Sequence, residues 1–402
     1  MRTKKLLGGA AALVSASLLF AACGSRTEPA ASTSTDKVVK LGIIVPLTGK
    51  NAPFGVGVRN SVELAVKQAN DAKTLPGWKI VVDAQDDTAT PDVGANAATK
   101  LASDKEIAAV VGTVNSGVAQ SVQPILNTAK IAMISPGNTG VSLTMGPDAA
   151  NPKRQYPNYF RVCTNDAVQG PFGAQYAWEA GYKKIAVVND KKPYGQGLAK
   201  AFAAEFKKLG GDIVADETVN ADENDFSTVI DLIKPKSPDL VYFGTEFQLA
   251  APFSQQLHGK GVKVPVMGGD GVVDDKYIEL AGSAAEGDLA TVVGAPIDSL
   301  ESGKSFVEAY KAAGYKDGWG IYGGFAYDAT NALIAALKVS LANTSDVSSA
   351  RQATIDALGK VSFEGVTGKV AFDEFGDTTT KTLTVDVVKD GKWTALKTAQ
   401  AK

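Results

Sequence analysis

Short apolar runs alternate along this chain with longer stretches in which apolar positions recur every third or fourth residue. Runs of the first kind suit buried strands, and those of the second suit amphipathic helices. The pattern predicts strands over 38–45, 78–83, 107–111 and 131–134, separated by helices over 55–70, 91–103 and 117–127. A Pro-rich stretch from Met145 to Pro157 interrupts the series, which then restarts. Strands follow over 183–188, 212–219, 239–243 and 264–267, with helices over 195–209, 226–233 and 247–257 between them. Helices over 303–313, 322–341 and near 348–358, then short strands, complete the chain.

Alternation of strand and helix means parallel sheets with helices on both faces. The second series repeats the order and spacing of the first, so the expected fold class is α/β, with two doubly wound parallel-sheet lobes. The tail has too little strand for a third domain and is expected to complete both lobes, the chain crossing between them more than once. The expected division is 37–162 with 292–384 in one lobe, and 163–291 with 385–402 in the other.

With 402 residues, 45% hydrophobic and 21% charged, the chain is long enough for two cores. Its first 22 residues belong to neither core. Arg2, Lys4 and Lys5, the apolar run Leu6 to Phe20 and the small pair Ala21-Ala22 form an export signal, too short to span a membrane. Phe20-Ala-Ala-Cys23-Gly-Ser resembles the lipobox of bacterial lipoproteins, although Phe20 stands where Leu is usual. Cys23 is therefore the expected lipidation site, 23–36 a flexible tether, and the membrane a partner through the lipid anchor. Without the leader, 38 basic residues face 43 acidic ones, a net charge of −5. The charges are interspersed, and nothing invites nucleic acid. Cys163, left without a partner, is expected to be a buried inert thiol.

Ligands of open α/β sheets bind beyond the C-terminal ends of the strands. The segments leaving those ends are 46–49, 112–116, 135–139, 189–194, 244–246 and 268–270. An enzyme there would need a nucleophile and a base. The single histidine, His258, sits at a helix end, expected in solvent with nothing to orient it. No Cys/His cluster, nucleophile elbow or complete phosphate loop occurs; Tyr194-Gly-Gln-Gly-Leu-Ala-Lys200 lacks the third glycine. No catalytic residue, metal or cofactor is expected.

A binding site fits these loops better. Ser116, at the expected N-cap of the 117–127 helix, would aim its hydroxyl and the first free backbone N–H groups at a place that favours an anion. Thr139, beyond the next strand, could add a second hydroxyl and Gly137 a bare carbonyl, while Asp270 from the other lobe could supply a negative charge. Donors for a carboxylate beside acceptors for an ammonium make an α-amino acid site.

From about Val39 to Phe375 the chain resembles the extracytoplasmic leucine/isoleucine/valine-binding proteins of ABC transporters, with the type I periplasmic-binding fold. The resemblance rests on Val39-Lys-Leu-Gly-Ile-Ile-Val-Pro-Leu-Thr-Gly, Asp86-Asp-Thr, Val111-Gly112, Ile134-Ser-Pro, Asn189-Asp-Lys-Lys-Pro-Tyr-Gly-Gln-Gly, Asn224-Asp-Phe-Ser and Ala285-Glu-Gly, in that order and spacing. It implies two lobes on a multi-strand hinge, a monomer that captures a small-molecule ligand by closure, and a permease as partner. It also implies that Ser116 and Thr139 bind the ligand carboxylate, that Gly137 and Asp270 hold the ammonium, and that Phe54, Val114, Tyr194 and Tyr322 wall the side-chain pocket. Asp270 stands where the family has a glutamate, Glu246 where a tyrosine is common, and Thr90 and Asn115 at the places of a frequent disulfide. If Glu246 faces the pocket, a ligand with a polar or cationic side chain is expected. The alternative ligand is a short amide or carboxylate; a hydrolase is the rival of another class.

Overall fold

The computed structural model describes residues 36–148 and 150–401, so the expected export signal, Cys23 and nearly all of the tether lie outside the described residues. Five parallel strands, β1 (Lys37–Val45), β2 (Trp78–Asp86), β3 (Ile107–Gly112), β4 (Ala132–Ser135) and β5 (Tyr159–Arg161), form a first sheet in the order β2-β1-β3-β4-β5. Every residue of β3 and β4 is buried, which requires cover on both faces. On one face α1 (Ala52–Asp71) packs Val58, Val62 and Val66 against Val39, Leu41 and Ile43. On the other, α2 (Pro91–Ser103) and α3 (Ser116–Thr128) pack Leu101, Val118, Val122 and Leu126 against Ile44, Val110 and Met133. A short helix, α4 (Ser142–Met145), and the Pro-rich stretch lead from β4 towards β5.

The second sheet repeats this topology. After α5 (Asp166–Glu179) come β6 (Lys184–Asn189), α6 (Pro193–Lys208), β7 (Asp212–Thr218), α7 (Ser227–Ile233), β8 (Leu240–Gly244), α8 (Phe247–Gly259), β9 (Val266–Gly268), α9 (Asp275–Ala281) and β10 (Leu289–Val293). The parallel order β7-β6-β8-β9-β10 matches that of the first five strands. At its edge the sheet continues with two antiparallel strands from the end of the chain, β13 (Thr382–Lys389) and β14 (Lys392–Gln400), so it is mixed rather than purely parallel.

Between β10 and β13 the chain returns to the first lobe through α10 (Lys304–Ala313), α11 (Gly323–Ser340), α12 (Val347–Leu358) and the hairpin of β11 (Ser362–Gly365) and β12 (Gly368–Ala371). There α11 packs on α1, and α12 on β3. Residues 292–293 and 382–384, expected with the first lobe, run instead within β10 and β13 of the second sheet. Three segments thus connect the lobes: 162–165, 294–303 and 372–381. The third is tied to the end of β5 by a buried ion pair in which Arg161 Nε donates to Asp377 Oδ1, and to the first by Asn165 Nδ2, which donates to Asp377 Oδ2 at 2.8 Å.

Five elements, α4, β5, α5, α9 and β10, escape the periodicity. Strand β5 has three residues, and α5 contains Gly170, Pro171 and Gly173 and does not gather its apolar residues on one face. His258, expected in solvent, is half-buried, its Nε2 3.1 Å from the Val264 carbonyl oxygen. Cys163 is buried and free, and burial raises its pKa.

Candidate functional site in the interlobe cleft

Both sheets point their C-terminal strand ends at one cleft, and at each switch point the loops after β1 and β3, or after β6 and β8, diverge to opposite faces. A cavity of about 10 Å³ remains between the lobes, walled by Phe54, Val114, Asn115, Gly137 and Tyr322 from the first and by Tyr194, Glu246, Asp270 and Gly271 from the second. That is room for about one water. Phe54 stands edge-on to both Tyr322 and Phe247, at centroid distances of 5.6 and 5.4 Å, so aromatic packing extends across the lobes.

Of the nine sequence-predicted ligand residues, Phe54, Val114, Gly137, Tyr194, Glu246, Asp270 and Tyr322 line this cavity. Ser116 and Thr139 are buried but do not line it. Ser116 is also not the N-cap. Asn115 holds that position in extended geometry, without a side-chain capping bond, and Ser116 is the first helical residue of α3. Its hydroxyl accepts the Gly140 N–H at 3.1 Å, linking the loop after β3 to the loop after β4.

The loop after β4 is held by its backbone. Ser135 Oγ accepts the Asn138 N–H at 2.8 Å and donates to the Thr113 carbonyl at 2.7 Å. Arg161 Nη1 donates to the carbonyls of Asn138 and Gly140 at 2.9 and 2.8 Å, and the Asp166 N–H donates to that of Thr139 at 2.9 Å. Three successive carbonyls are therefore fixed. The Thr139 hydroxyl is buried without a hydrogen-bond partner. A Cβ on Gly137 would meet the Tyr322 ring at 3.0 Å, so only glycine lets this loop lie against that wall comfortably.

On the opposite side Asp270, 1% exposed, receives three hydrogen bonds: Gln169 Nε2 at 2.8 Å and Tyr194 Oη at 2.9 Å on Oδ1, and Tyr322 Oη at 2.6 Å on Oδ2. Burial raises its pKa and these donors oppose the rise. The flanking glycines let Tyr194 come this close, since a Cβ on Gly269 or Gly271 would lie 2.7 or 2.8 Å from Tyr194 atoms.

Glu246 faces the cleft and is the N-cap residue of α8. Asn51 Nδ2 donates to its Oε2 at 3.0 Å, Asn115 Nδ2 donates to its Oε1, and Lys192 Nζ lies 3.7 Å from Oε2. Gln248 Nε2 donates to the Lys50 carbonyl at 3.2 Å. These bonds join the lobes at the mouth. They also satisfy the Glu246 carboxylate within the protein, which removes the reason to demand a polar ligand side chain.

Sequence reasoning missed Asp166 and Gln169, both on α5 and both fully buried. Neither Asp166 carboxylate oxygen has a hydrogen-bond partner. Burial, with Asp270 nearby, pushes the Asp166 pKa up to about 8. Burial likewise raises Asp87 to about 7 and Asp190 to about 6, each with a contribution from Glu246. The cleft is rich in carboxylates and poor in cations: Arg161 is committed to Asp377, and Lys192 sits half-exposed at the mouth. Among the described residues no group of three or more His, Cys, Asp or Glu is placed to hold a metal ion.

Residues 38–392 match the family described as periplasmic binding protein. Leu/Ile/Val-binding protein homolog 1 of Brucella melitensis is 33% identical over 84% of this chain and 87% of its own length. The leucine-binding protein LivK of Thermotoga maritima superposes with a TM-score of 0.81 at 27% identity, covering 90% of this chain and 99% of its own. LivJ of Streptococcus pneumoniae, a branched-chain amino acid transporter substrate-binding protein solved with isoleucine, gives 0.80 at 26% identity over 90% and 100%.

Proposed function

Because this chain belongs to the periplasmic binding protein family, in its Leu/Ile/Val-binding branch, we propose that it captures a small aliphatic α-amino acid between its lobes and presents it to a membrane permease. The observation that carries this reading is the division of chemistry across the cleft. One side offers the Ser116 hydroxyl at the start of α3, where the helix dipole favours a carboxylate, and the Thr139 hydroxyl on the loop after β4. The other offers the buried Asp270 carboxylate, a counter-charge for an ammonium. Phe54, Val114 and Tyr322 supply apolar wall for the side chain. The names of LivK and LivJ support the same ligand class.

An amino acid cannot enter a 10 Å³ cavity, so uptake requires the lobes to part about the three connecting segments and close again. Closure is favoured when the ligand bridges groups that otherwise face each other across the gap. The chain acts after export, held at the membrane surface by lipid on Cys23. A thermal-shift panel of the proteinogenic amino acids, with mass spectrometry of whatever copurifies, tests the reading, because a ligand bound only by the folded state raises the melting temperature. Leucine, isoleucine or valine is expected to give the largest shift. No shift with any amino acid would overturn it.

A further inference from the structure

A second cavity, of about 260 Å³, lies beside the connecting segment 294–303 and shares no residue with the wall of the cleft. That is room for several waters or one small organic molecule. Trp319, Ile321 and Phe325 of the first lobe and Val292 of the second give it apolar wall, so an occupant would touch both lobes outside the cleft. Asp298 of the connecting segment also lines it and is exposed, so the cavity reaches solvent. Among the described residues that wall it are two carboxylates, Asp298 and Asp386, and no Lys, Arg or His.

Asp386 is the wall group left without a partner. It is 9% exposed, and its Oδ1 is buried without a hydrogen bond. On β13 it stands between Ala290 of β10 and Ala395 of β14, neither of which brings a side-chain donor. The two wall threonines are engaged elsewhere: Thr384 Oγ1 donates to the Gly294 carbonyl at 2.8 Å, and Thr367 Oγ1 to Asp328 Oδ2 at 2.6 Å. Burial alone raises the Asp386 pKa to about 6, with no cation or donor to oppose the rise. An apolar residue would suit this strand at lower cost, and orphaned buried groups of this kind are uncommon.

The missing partner has a definite chemistry. An anion would be repelled, and a neutral apolar molecule would leave the carboxylate as it is. A divalent metal ion would need several converging oxygen ligands, and among the described residues no group of three or more His, Cys, Asp or Glu is placed to hold one. An ammonium brings both charge and donors. We propose that this cavity is a second ligand site, for a small primary amine: its ammonium pairs with Asp386, and its compact apolar body lies against Trp319, Ile321, Phe325 and Val292. The site does not depend on what the cleft binds.

The test uses benzylamine and benzyl alcohol, which are alike in size and differ in charge. Each is titrated at about pH 7.5, where carboxylate and amine are both ionised, against isotope-labelled protein, with the indole N–H signal of Trp319, one of four tryptophans, as the local reporter. Wild type is expected to give a saturable shift with benzylamine and to bind it about ten-fold or more tighter than the alcohol. Asp386→Asn, which keeps the shape and removes the charge, is expected to bind the amine no better than the alcohol. Asp270→Asn, on the cleft, is expected to keep the wild-type preference. No saturable shift in wild type, or equal affinity for the two compounds, would overturn the inference. So would an amine preference that survives in Asp386→Asn, or one that is lost in Asp270→Asn, which would put the amine in the cleft. If Asp386→Asn does not fold, a crystal of wild type grown with benzylamine decides: nitrogen within hydrogen-bond distance of Asp386 supports the site, and water alone there overturns it.

Discussion

The first lobe gives the cleft Phe54, Val114, Asn115, Gly137 and Tyr322, none of them charged; the second gives Tyr194, Gly271 and two carboxylates, Asp270 and Glu246. The first wall is ordered by its backbone, its carbonyls fixed by Arg161 and Asp166 and its turn by Ser135. The second is ordered by side-chain donors converging on Asp270, against the cost of burying its carboxylate. A rigid neutral wall can present hydroxyls and N–H groups with little reorganisation. A crowded acidic wall gains when a cation arrives. The contrast gives the two ends of a zwitterion different partners, and each prediction below acts on one wall.

The largest effect is expected at the support of the neutral wall. Arg161→Met leaves Asp377 buried without its partner and frees the carbonyls of Asn138 and Gly140, at a cost of about 3–5 kcal/mol in stability. Urea denaturation measures this, and an unshifted midpoint would mean that the loop does not depend on the guanidinium. On the acidic wall, Asp270→Asn should weaken amino-acid binding by about 10²- to 10³-fold, from removal of the counter-charge to the ammonium. Calorimetry checks it; wild-type affinity would move the ammonium site elsewhere. Ser116→Ala and Thr139→Ala, which remove donors to the carboxylate, should each cost about 1.5–3 kcal/mol of affinity in the same measurement.

The acidic wall also carries a pH signature. Asp166, Asp87 and Asp190 have folded-state pKa values raised to about 8, 7 and 6. A raised carboxylate binds more protons folded than unfolded, so its contribution to stability falls as pH rises from the unfolded value to the folded one, and is absent as a penalty below both. The ligand-free melting temperature should therefore drop between about pH 5 and pH 8, and drop less in Asp166→Asn. A melting temperature that climbs over this interval would contradict the assignment. The smallest effect is expected at the mouth. Glu246→Gln keeps the side-chain shape and one of the two acceptors for Asn51 and Asn115 but removes the charge, and should change ligand affinity by about 1 kcal/mol or less.

Hydrophobic periodicity reached most of the fold because most of its elements are either fully buried strands or one-sided helices, and such elements write their burial into the residue pattern. It did not reach β5 or α5, the first too short and the second buried without a single apolar face, and Asp166 and Gln169 were lost with α5. Strand ends, glycines and hydroxyls identified the loops of the cleft, and the family resemblance added Phe54, Val114, Tyr194 and Tyr322 as its walls; seven of nine candidate residues meet at one cavity.

Which of these groups already have partners was decided only in three dimensions. Glu246 looked like a demand for a polar ligand until Asn51 and Asn115, brought to it from 195 and 131 residues away in the chain, satisfied it. Ser116 looked like a cap until Gly140 took its oxygen. The order of elements follows from local burial, which each segment carries in its own residues. Charge state and hydrogen-bond partnership depend on which distant segments share a space without water, and the linear pattern does not contain that distance.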